Sequence, residues 1–377
     1  MERLYFDHNA TSPLLPEVRE ALIEFLHCHQ GNPSSIHGSG RSIRSRVDEA
    51  RESVAKLIGA NPLEIIFTSS GVEANHLAWN AFQSSGKKIA TTTTEHACIR
   101  GAIVKAEIAG ATVHQISVDK DGSISDQTIQ ELCDFKPDFF SIHHANNETG
   151  AMYPVSRYIK LLCNPACYIH SDAVQTIGKV PVNVQDLGVH YLSMSGHKLG
   201  ALQGIGALYV KKGAPLKSLW PGGSQEKGMR SGTENVIGII SMGVAAKTIL
   251  KKGFEHKKTM IQLRNEFEKG LQKLIPDVLI SAQNHERIPN TCHVIFKKLD
   301  AESLLIACDL EGVDVATGSA CSSGAVEPSK AVLAMGISAE DAKGAIRFSF
   351  GWNTTQDDIE KALRILPKLV EQVRKSR

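Results

Sequence analysis

Apolar positions recur along this chain with two different periods. After Pro16, Val18, Leu22, Phe25 and Leu26 fall on one helical face; before Gly59, Ile43, Val47, Val54 and Leu57 do the same. Between helix-length segments lie short β-branched runs at 65–68, 88–93, 112–118, 139–143, 167–170, 191–194 and 205–210. Strands alternating with helices in this way predict an α/β fold, a mainly parallel sheet flanked by helices. From Lys251-Lys252-Gly253 onward the pattern changes. A long charged helix carries Met260, Leu263, Phe267, Leu271 and Leu274 on one face, and short strands follow at 292–296 and 345–350. A last helix starts at Thr355, where Asp358 completes a capping box, and Pro367 is expected to kink it. The expected division is a large domain over residues 15–254 and a smaller α+β domain made of residues 1–14 and 255–377.

Composition narrows the class. With 377 residues, 42% of them hydrophobic, the chain can build a sizeable core without staples. Forty-two basic and 40 acidic side chains leave a net charge of +2, against a dedicated or stable nucleic-acid binder. The longest nearly apolar run, 236–246, is far short of the ~20 residues of a membrane helix. Glu2 and Arg3 charge the N-terminus at once, which excludes a signal peptide and implies a cytoplasmic enzyme. The eight cysteines are scattered, so reduced thiols are expected, one of them chemical and seven structural. Cys163, Cys167 and His170 have ligand-like spacing, but a strand would put the last two on opposite faces; no metal site is expected.

Parallel sheets gather ligands at the carboxyl ends of their strands. The residues after five predicted strands are Ser69-Ser70-Gly71, Glu95-His96, Asn146-Asn147-Glu148, Asp172 with Gln175, and Ser195-Gly196-His197-Lys198. Ser69-Ser70-Gly71 opens a helix, whose free amides suit a phosphate, and Ser195 and His197 can add donors. Lys198 can be an amine of lowered pKa that bonds an aldehyde. Asp172 can pair with a ring nitrogen, and His96 can stack on a ring or shuttle protons. Each alone has a plain structural explanation: a surface lysine, a helix cap, a hydrogen-bonded histidine. Their common location carries the weight, and it matches what pyridoxal 5'-phosphate (PLP) requires.

These residues sit in motifs that resemble the cysteine desulfurases of the NifS/IscS type, fold-type I PLP enzymes of the class V aminotransferase superfamily. The motifs are Asp7-His-Asn-Ala-Thr-Ser-Pro13, Gly31-Asn-Pro-Ser-Ser35, Thr94-Glu-His96, Asn146-Asn-Glu-Thr-Gly150 and His170-Ser-Asp-Ala-Val-Gln175. Ser195-Gly-His-Lys198, Gly228-Met-Arg-Ser-Gly-Thr-Glu234, Gly318-Ser-Ala-Cys321 and Ile346-Arg-Phe-Ser349 complete them, in the family's order and over nearly the whole chain.

The resemblance implies roles. Lys198 bonds the cofactor and moves the substrate α-proton. Asp172 keeps the pyridine nitrogen protonated, Gln175 meets the phenolic oxygen, and His96 stacks on the ring as acid/base. Gly71, Val72, Ser195 and His197 surround the phosphate, with Thr233 reaching in from the partner of a homodimer. Arg347 grips the carboxylate of L-cysteine, assisted by Asn147, which also borders the cofactor. Cys321 takes the sulfur as a persulfide, releasing L-alanine, with His96 as its proton acceptor. A sulfur-acceptor protein, an iron–sulfur scaffold or a tRNA-thiolation enzyme, is the expected partner.

Val72 stands where many relatives carry a hydroxyl, Leu202 replaces a frequent proline and Ser224 a frequent glycine. The chain ends soon after its last helix, whereas housekeeping relatives carry a longer C-terminal segment that engages the scaffold. An aminotransferase or selenocysteine lyase is the alternative within the fold. Ser195-x-x-Lys198 also matches a serine acyl-transferase signature, but the accompanying Ser-Asp-Asn and Lys-Thr-Gly do not occur.

Overall fold

The computed structural model describes residues 3–28, 30–318 and 328–375, the side chain of Cys28 excepted. The larger sheet comprises β2 (Ile65–Thr68), β3 (Lys88–Thr92), β4 (Thr112–Ile116), β5 (Phe139–His143), β6 (Tyr168–Asp172), β7 (Tyr191–Ser195) and β8 (Gly206–Val210). A smaller sheet is formed by β9 (Val278–Ile280), β10 (Thr291–Phe296), β12 (Ala316–Thr317) and β13 (Ala345–Ser349); β1 (Leu4–Tyr5) pairs with β11 (Val313–Asp314). The helices are α1 (Pro16–Cys28), α2 (Gly38–Leu57), α3 (Gly71–Asn80), α4 (Ala97–Ile108), α5 (Asp126–Phe135), α6 (Val155–Leu161) and α7 (Val184–Leu187). They continue with α8 (Val236–Lys252), α9 (Glu255–Leu274), α10 (Ala301–Leu310), α11 (Lys330–Ala334), α12 (Ala339–Ala342) and α13 (Gln356–Lys375).

The large sheet runs in the order β2-β8-β7-β6-β5-β3-β4. From β7 to β4 every pairing is parallel. Helices cover both faces, so β5 and β7 are buried at every position and read as continuous runs rather than alternating ones. Strand β8 departs from the pattern, turning back within ten residues of β7 and running antiparallel to both β7 and β2. Helices α2 and α8 pack so closely that a Cβ on Gly243 would come within 2.5 Å of Ala50.

A second core gathers Leu4 and Phe6 with Phe267, Phe296, Phe348, Phe350, Leu366 and Val370. Phe6 meets the edges of Phe350 and Phe267 at 5.1 and 6.2 Å, anchoring the N-terminal arm there. Helices α8 and α9 are separated by Gly253, at φ +64° and ψ −160°, a conformation open essentially to glycine alone.

Three details correct the sequence reading. Leu26 and Leu274 continue the apolar stripes of α1 and α9 but are 64% and 47% exposed, because the packed surface ends before they do. Helix α2 begins at Gly38, five residues ahead of Ile43, since His37 caps it through Nδ1, which accepts from the Gly40 amide at 3.3 Å. Cys133 and Cys163 form a disulfide, because the end of α5 and the residue beyond α6 lie side by side with Cα atoms 4.9 Å apart. The expected capping box holds at α13: the Thr355 amide donates to Asp358 Oδ2 at 2.8 Å and the Asp358 amide to Thr355 Oγ1 at 3.3 Å. That helix continues through Pro367. Among the described residues no helix is long and apolar enough to cross a membrane, and no cluster of three potential metal ligands occurs.

Candidate active site

The site assembles where β2, β6 and β7 end. Ser70 caps α3, its Oγ accepting from the Glu73 amide at 3.2 Å, so the first amides of that helix face the strand ends. No side chain fits at Gly71: a Cβ there would lie 2.7 Å from Val174 Cγ2 and 3.3 Å from Ser195 Cβ. Ser195 is buried at the end of β7. His197 Nδ1 lies 3.0 Å from Thr11 Oγ1, and burial, with Lys198 adding, lowers its pKa to about 4. A neutral His197 can therefore offer a neutral N–H. Small residues and donors are gathered here, a chemistry that suits a phosphate.

Asp172 ends β6 with its carboxylate buried. It accepts from Asn75 Nδ2 at 2.6 Å and from the Val174 amide at 2.9 Å, and it caps no helix. His96 caps α4 through Nδ1, which accepts from the Cys98 amide at 3.2 Å and lies 3.0 Å from Cys98 Sγ. A lone pair committed at Nδ1 leaves the proton of the neutral ring on Nε2. His96 is exposed, yet desolvation by the surrounding protein lowers its pKa; nearby Asp172 opposes the shift and Lys198 adds to it. Cys98 is pushed up to about 12, first by burial and then by Asp172, and stays a thiol. Asn75 also donates to that thiol at 3.3 Å, so Asp172, Asn75, Cys98 and His96 form one chain.

Behind them Glu95 is buried, accepting from Thr92 Oγ1 at 2.8 Å and the His143 amide at 3.0 Å. Burial raises its pKa to about 8 and lowers that of His143, 3.6 Å away, to about 3; the pair is neutral near pH 7.

Lys198 lies in the turn after β7, its amine donating to the carbonyl oxygens of Asn9 and Ala10. Gln175 donates to the Asn9 carbonyl at 3.1 Å and accepts from Lys179 Nζ at 2.8 Å. Asn9 is the junction of this layer. Its Oδ1 accepts from Lys179 at 2.7 Å and Asn290 at 3.1 Å, and its Nδ2 donates to Thr291 Oγ1 at 2.8 Å.

Across from the cradle, on β13, Arg347 donates through Nη2 to Asp7 Oδ1 at 2.7 Å and through Nη1 to the Asn147 carbonyl at 3.0 Å. Its Nε is buried and has no hydrogen-bond partner among the described residues, a donor available to a carboxylate. Strand β12 pairs Ala316 with Arg347, and Gly318 beyond it lies against Glu148, the neighbour of Asn147. Cys321 itself lies outside the described residues.

The structure therefore joins Arg347, Asn147, Gln175 and Lys198 through the N-terminal arm, and Asp172 with His96 through Asn75 and Cys98. Val72, 47% exposed, and Thr233, also exposed, are open to solvent within one subunit. Sequence reasoning gave no role to Asn9, Asn75, Cys98 or Lys179. Asn75 had one usable signal: it is polar and one helical turn after Gly71, on the same face as the apolar residues of α3. The donors and carboxylate fit PLP: a glycine position closed to side chains, a buried acid for a ring nitrogen and an amine in the turn that carries His197.

Comparison with known proteins agrees. Residues 4–362 match the family Aminotransferase class-V. The cysteine desulfurase IscS of Dictyoglomus turgidum is 41% identical over 375 residues, 98% of this chain and 95% of its own length. The cysteine desulfurase NifS of Azotobacter vinelandii is 36% identical over 379 residues, covering 99% of this chain and 94% of that protein. Among solved structures, a NifS-like protein superposes with a TM-score of 0.91 at 32% identity, over 98% of this chain and 100% of the other. The chain belongs to the class V aminotransferase family, among its cysteine desulfurases.

Proposed function

We propose that this chain is a PLP-dependent cysteine desulfurase that takes sulfur from L-cysteine and releases L-alanine. The observation that carries it is the convergence of Gly71, Asp172, His96 and Lys198 at the strand ends, facing Arg347 across the N-terminal arm. Bound there, PLP supplies an electron sink for carbon next to the amino group. Gly71, Ser195 and His197 hold its phosphate and Asp172 its ring nitrogen, with Val72 and Gln175 bordering it. Thr233, exposed in one subunit, belongs to the phosphate site of the partner in a homodimer.

Arg347 fixes the substrate carboxylate through Nε and its outer edge, beside Asn147. Lys198 bonds the cofactor and relays the α-proton. Cys321 attacks as a thiolate: an S–S bond forms to the substrate sulfur as the substrate C–S bond breaks. The bond pair stays with carbon, which takes up a proton as alanine forms, and Cys321 is left as a persulfide. With Nδ1 already accepting from Cys98, His96 enters this exchange as a donor from Nε2; it takes up a proton only when that contact opens. The persulfide then passes to an acceptor protein, an iron–sulfur scaffold or a tRNA-thiolation enzyme, in the cytoplasm. Residues 15–254 form the cofactor domain and 1–14 with 255–377 the smaller one, the boundary falling just after Gly253.

Mass spectrometry of the Cys321 peptide after exposure to L-cysteine without reductant tests this reading, with alanine assayed alongside. One added sulfur on Cys321 with matching alanine supports it. Undiminished sulfur transfer by Cys321→Ala overturns the assigned nucleophile.

A further inference from the structure

Between α8 and the second core lies a cavity of about 570 Å³, within the ~300–1,000 Å³ typical of small-molecule sites. Of the residues assigned to cofactor and substrate it touches only Lys198; Gly71, Asp172, Ser195, His197 and Arg347 are not part of its wall.

The wall is divided in character. Four lysines, Lys179, Lys198, Lys251 and Lys252, face one carboxylate, Glu255. Lys252 is in addition paired at 2.6 Å with Glu17, which lies outside the wall. Lys179 is buried, and its amine meets two neutral oxygens, Asn9 Oδ1 at 2.7 Å and Gln175 Oε1 at 2.8 Å, with no carboxylate paired to it among the described residues. Burial, together with Lys198 and Arg347, lowers its pKa well below the ordinary lysine value, a cost that an arriving anion would relieve. His8, 2% exposed, also lines the cavity; neither ring nitrogen has a well-aligned hydrogen bond, Asn353 being the polar side chain that interacts with it. Ser12, Thr248, His256 and Asn290 add polar groups, and an apolar part is made by Leu15, Ile249, Met260, Phe350 and the indole of Trp352.

We propose that this cavity binds a small amphipathic anion, a carboxylate with a short hydrocarbon body. Lys179 and Lys251 hold the carboxylate, and the Leu15, Ile249, Met260 and Trp352 side chains cover the body. Such a ligand would sit directly behind Lys198 and its carbonyl partners, coupled to the catalytic layer through Lys179 and Asn9.

The test uses the full chain with PLP bound, titrated with hexanoate, hexanol and hexylammonium. Binding is followed by calorimetry and by tryptophan fluorescence, with Trp352→Phe as the spectroscopic control. Hexanoate should saturate with a dissociation constant below about 5 mM and bind about tenfold more tightly than hexanol, the worth of one charge-assisted hydrogen bond. Hexylammonium should not bind. The surface substitution Lys251→Glu should weaken hexanoate and spare hexanol, and Thr248→Phe, which fills the cavity from α8, should abolish both. Equal affinity for hexanol and hexanoate would overturn the proposal by reducing the cavity to an apolar cleft. So would an absence of saturation, or hexanoate binding unchanged in both variants, which places the anion elsewhere. None of these readouts depends on desulfurase activity, so the two proposals fail separately.

Discussion

Gly71 offers the sharpest test of the phosphate cradle, because one added carbon meets a defined obstacle. In Gly71→Ala the new methyl would stand 2.7 Å from Val174 Cγ2, with Ser195 Cβ at 3.3 Å. Ordinary carbon contacts lie at ~3.5–4.0 Å, so either Val174 or the start of α3 must move by about 1 Å. Overpacking of this size costs roughly 1–3 kcal/mol. If the displaced element is the ring of amides that grips the phosphate, most of that cost falls on the bound state. PLP affinity should then drop about 5- to 150-fold. The assay is a PLP titration of the apoprotein followed by visible absorbance, with thermal unfolding of the apoprotein as the control. The double variant Gly71→Ala with Val174→Ala removes the colliding methyl and should recover most of the affinity. Wild-type affinity in Gly71→Ala would refute the placement of the phosphate at α3. A double variant no better than the single would refute the collision as its cause.

Lys198→Ala should abolish the visible absorbance of enzyme-bound PLP while leaving far-ultraviolet circular dichroism unchanged; persistent absorbance would move the cofactor to another amine. Arg347→Lys forfeits the two contacts to Asp7 and Asn147 and the Nε donor. Its KM for L-cysteine should rise at least about tenfold with PLP affinity unchanged, and an unaltered KM would remove Arg347 from the carboxylate site. Glu95, with its pKa raised to about 8, holds a proton in the folded state that the unfolded chain releases from about 4.5 upward. Its stabilisation is therefore complete below that lower value and declines as pH rises through 8, by at most about 5 kcal/mol. Glu95→Gln should lose less stability than wild type between pH 5 and pH 8.5 in denaturant titrations, and identical slopes would refute the buried proton.

Local signals in the sequence located the parts of the site that repeat a simple rule. Each strand end was visible as an apolar run stopping at a polar or glycine residue, which brought out Gly71, His96, Asp172 and Lys198 together. The Ser70 cap and the Thr355–Asp358 box were equally legible, being decided within four residues. What remained hidden depends on the chain returning from far away. Asn9 meets Lys179, Asn290 and Lys198 across separations of well over a hundred residues, and no periodicity marks such a junction. The reversed direction of β8 was hidden because a buried run of five residues reads alike in either sense. Leu26 and Leu274 misled because an amphipathic stripe says which face is apolar and not how far along the helix the covering surface extends. The disulfide was obscured by the scatter of eight cysteines, which the partnering of α5 with α6 alone could sort.

The reversal at β8 places Gly206 opposite Thr68 on one side and opposite Ser195 on the other. One residue thus separates the entrance of α3 from the turn that bears Lys198, at two strand spacings, about 9.6 Å. Its own position is tight, since a Cβ would come 2.5 Å from the Ser70 carbonyl carbon. Gly206 acts as a gauge block: it fixes the span between the start of α3 and the turn that bears Lys198, the two segments proposed to hold the cofactor. A side chain there would widen both at once. This spacing is therefore set by backbone hydrogen bonds between strands rather than by side chains.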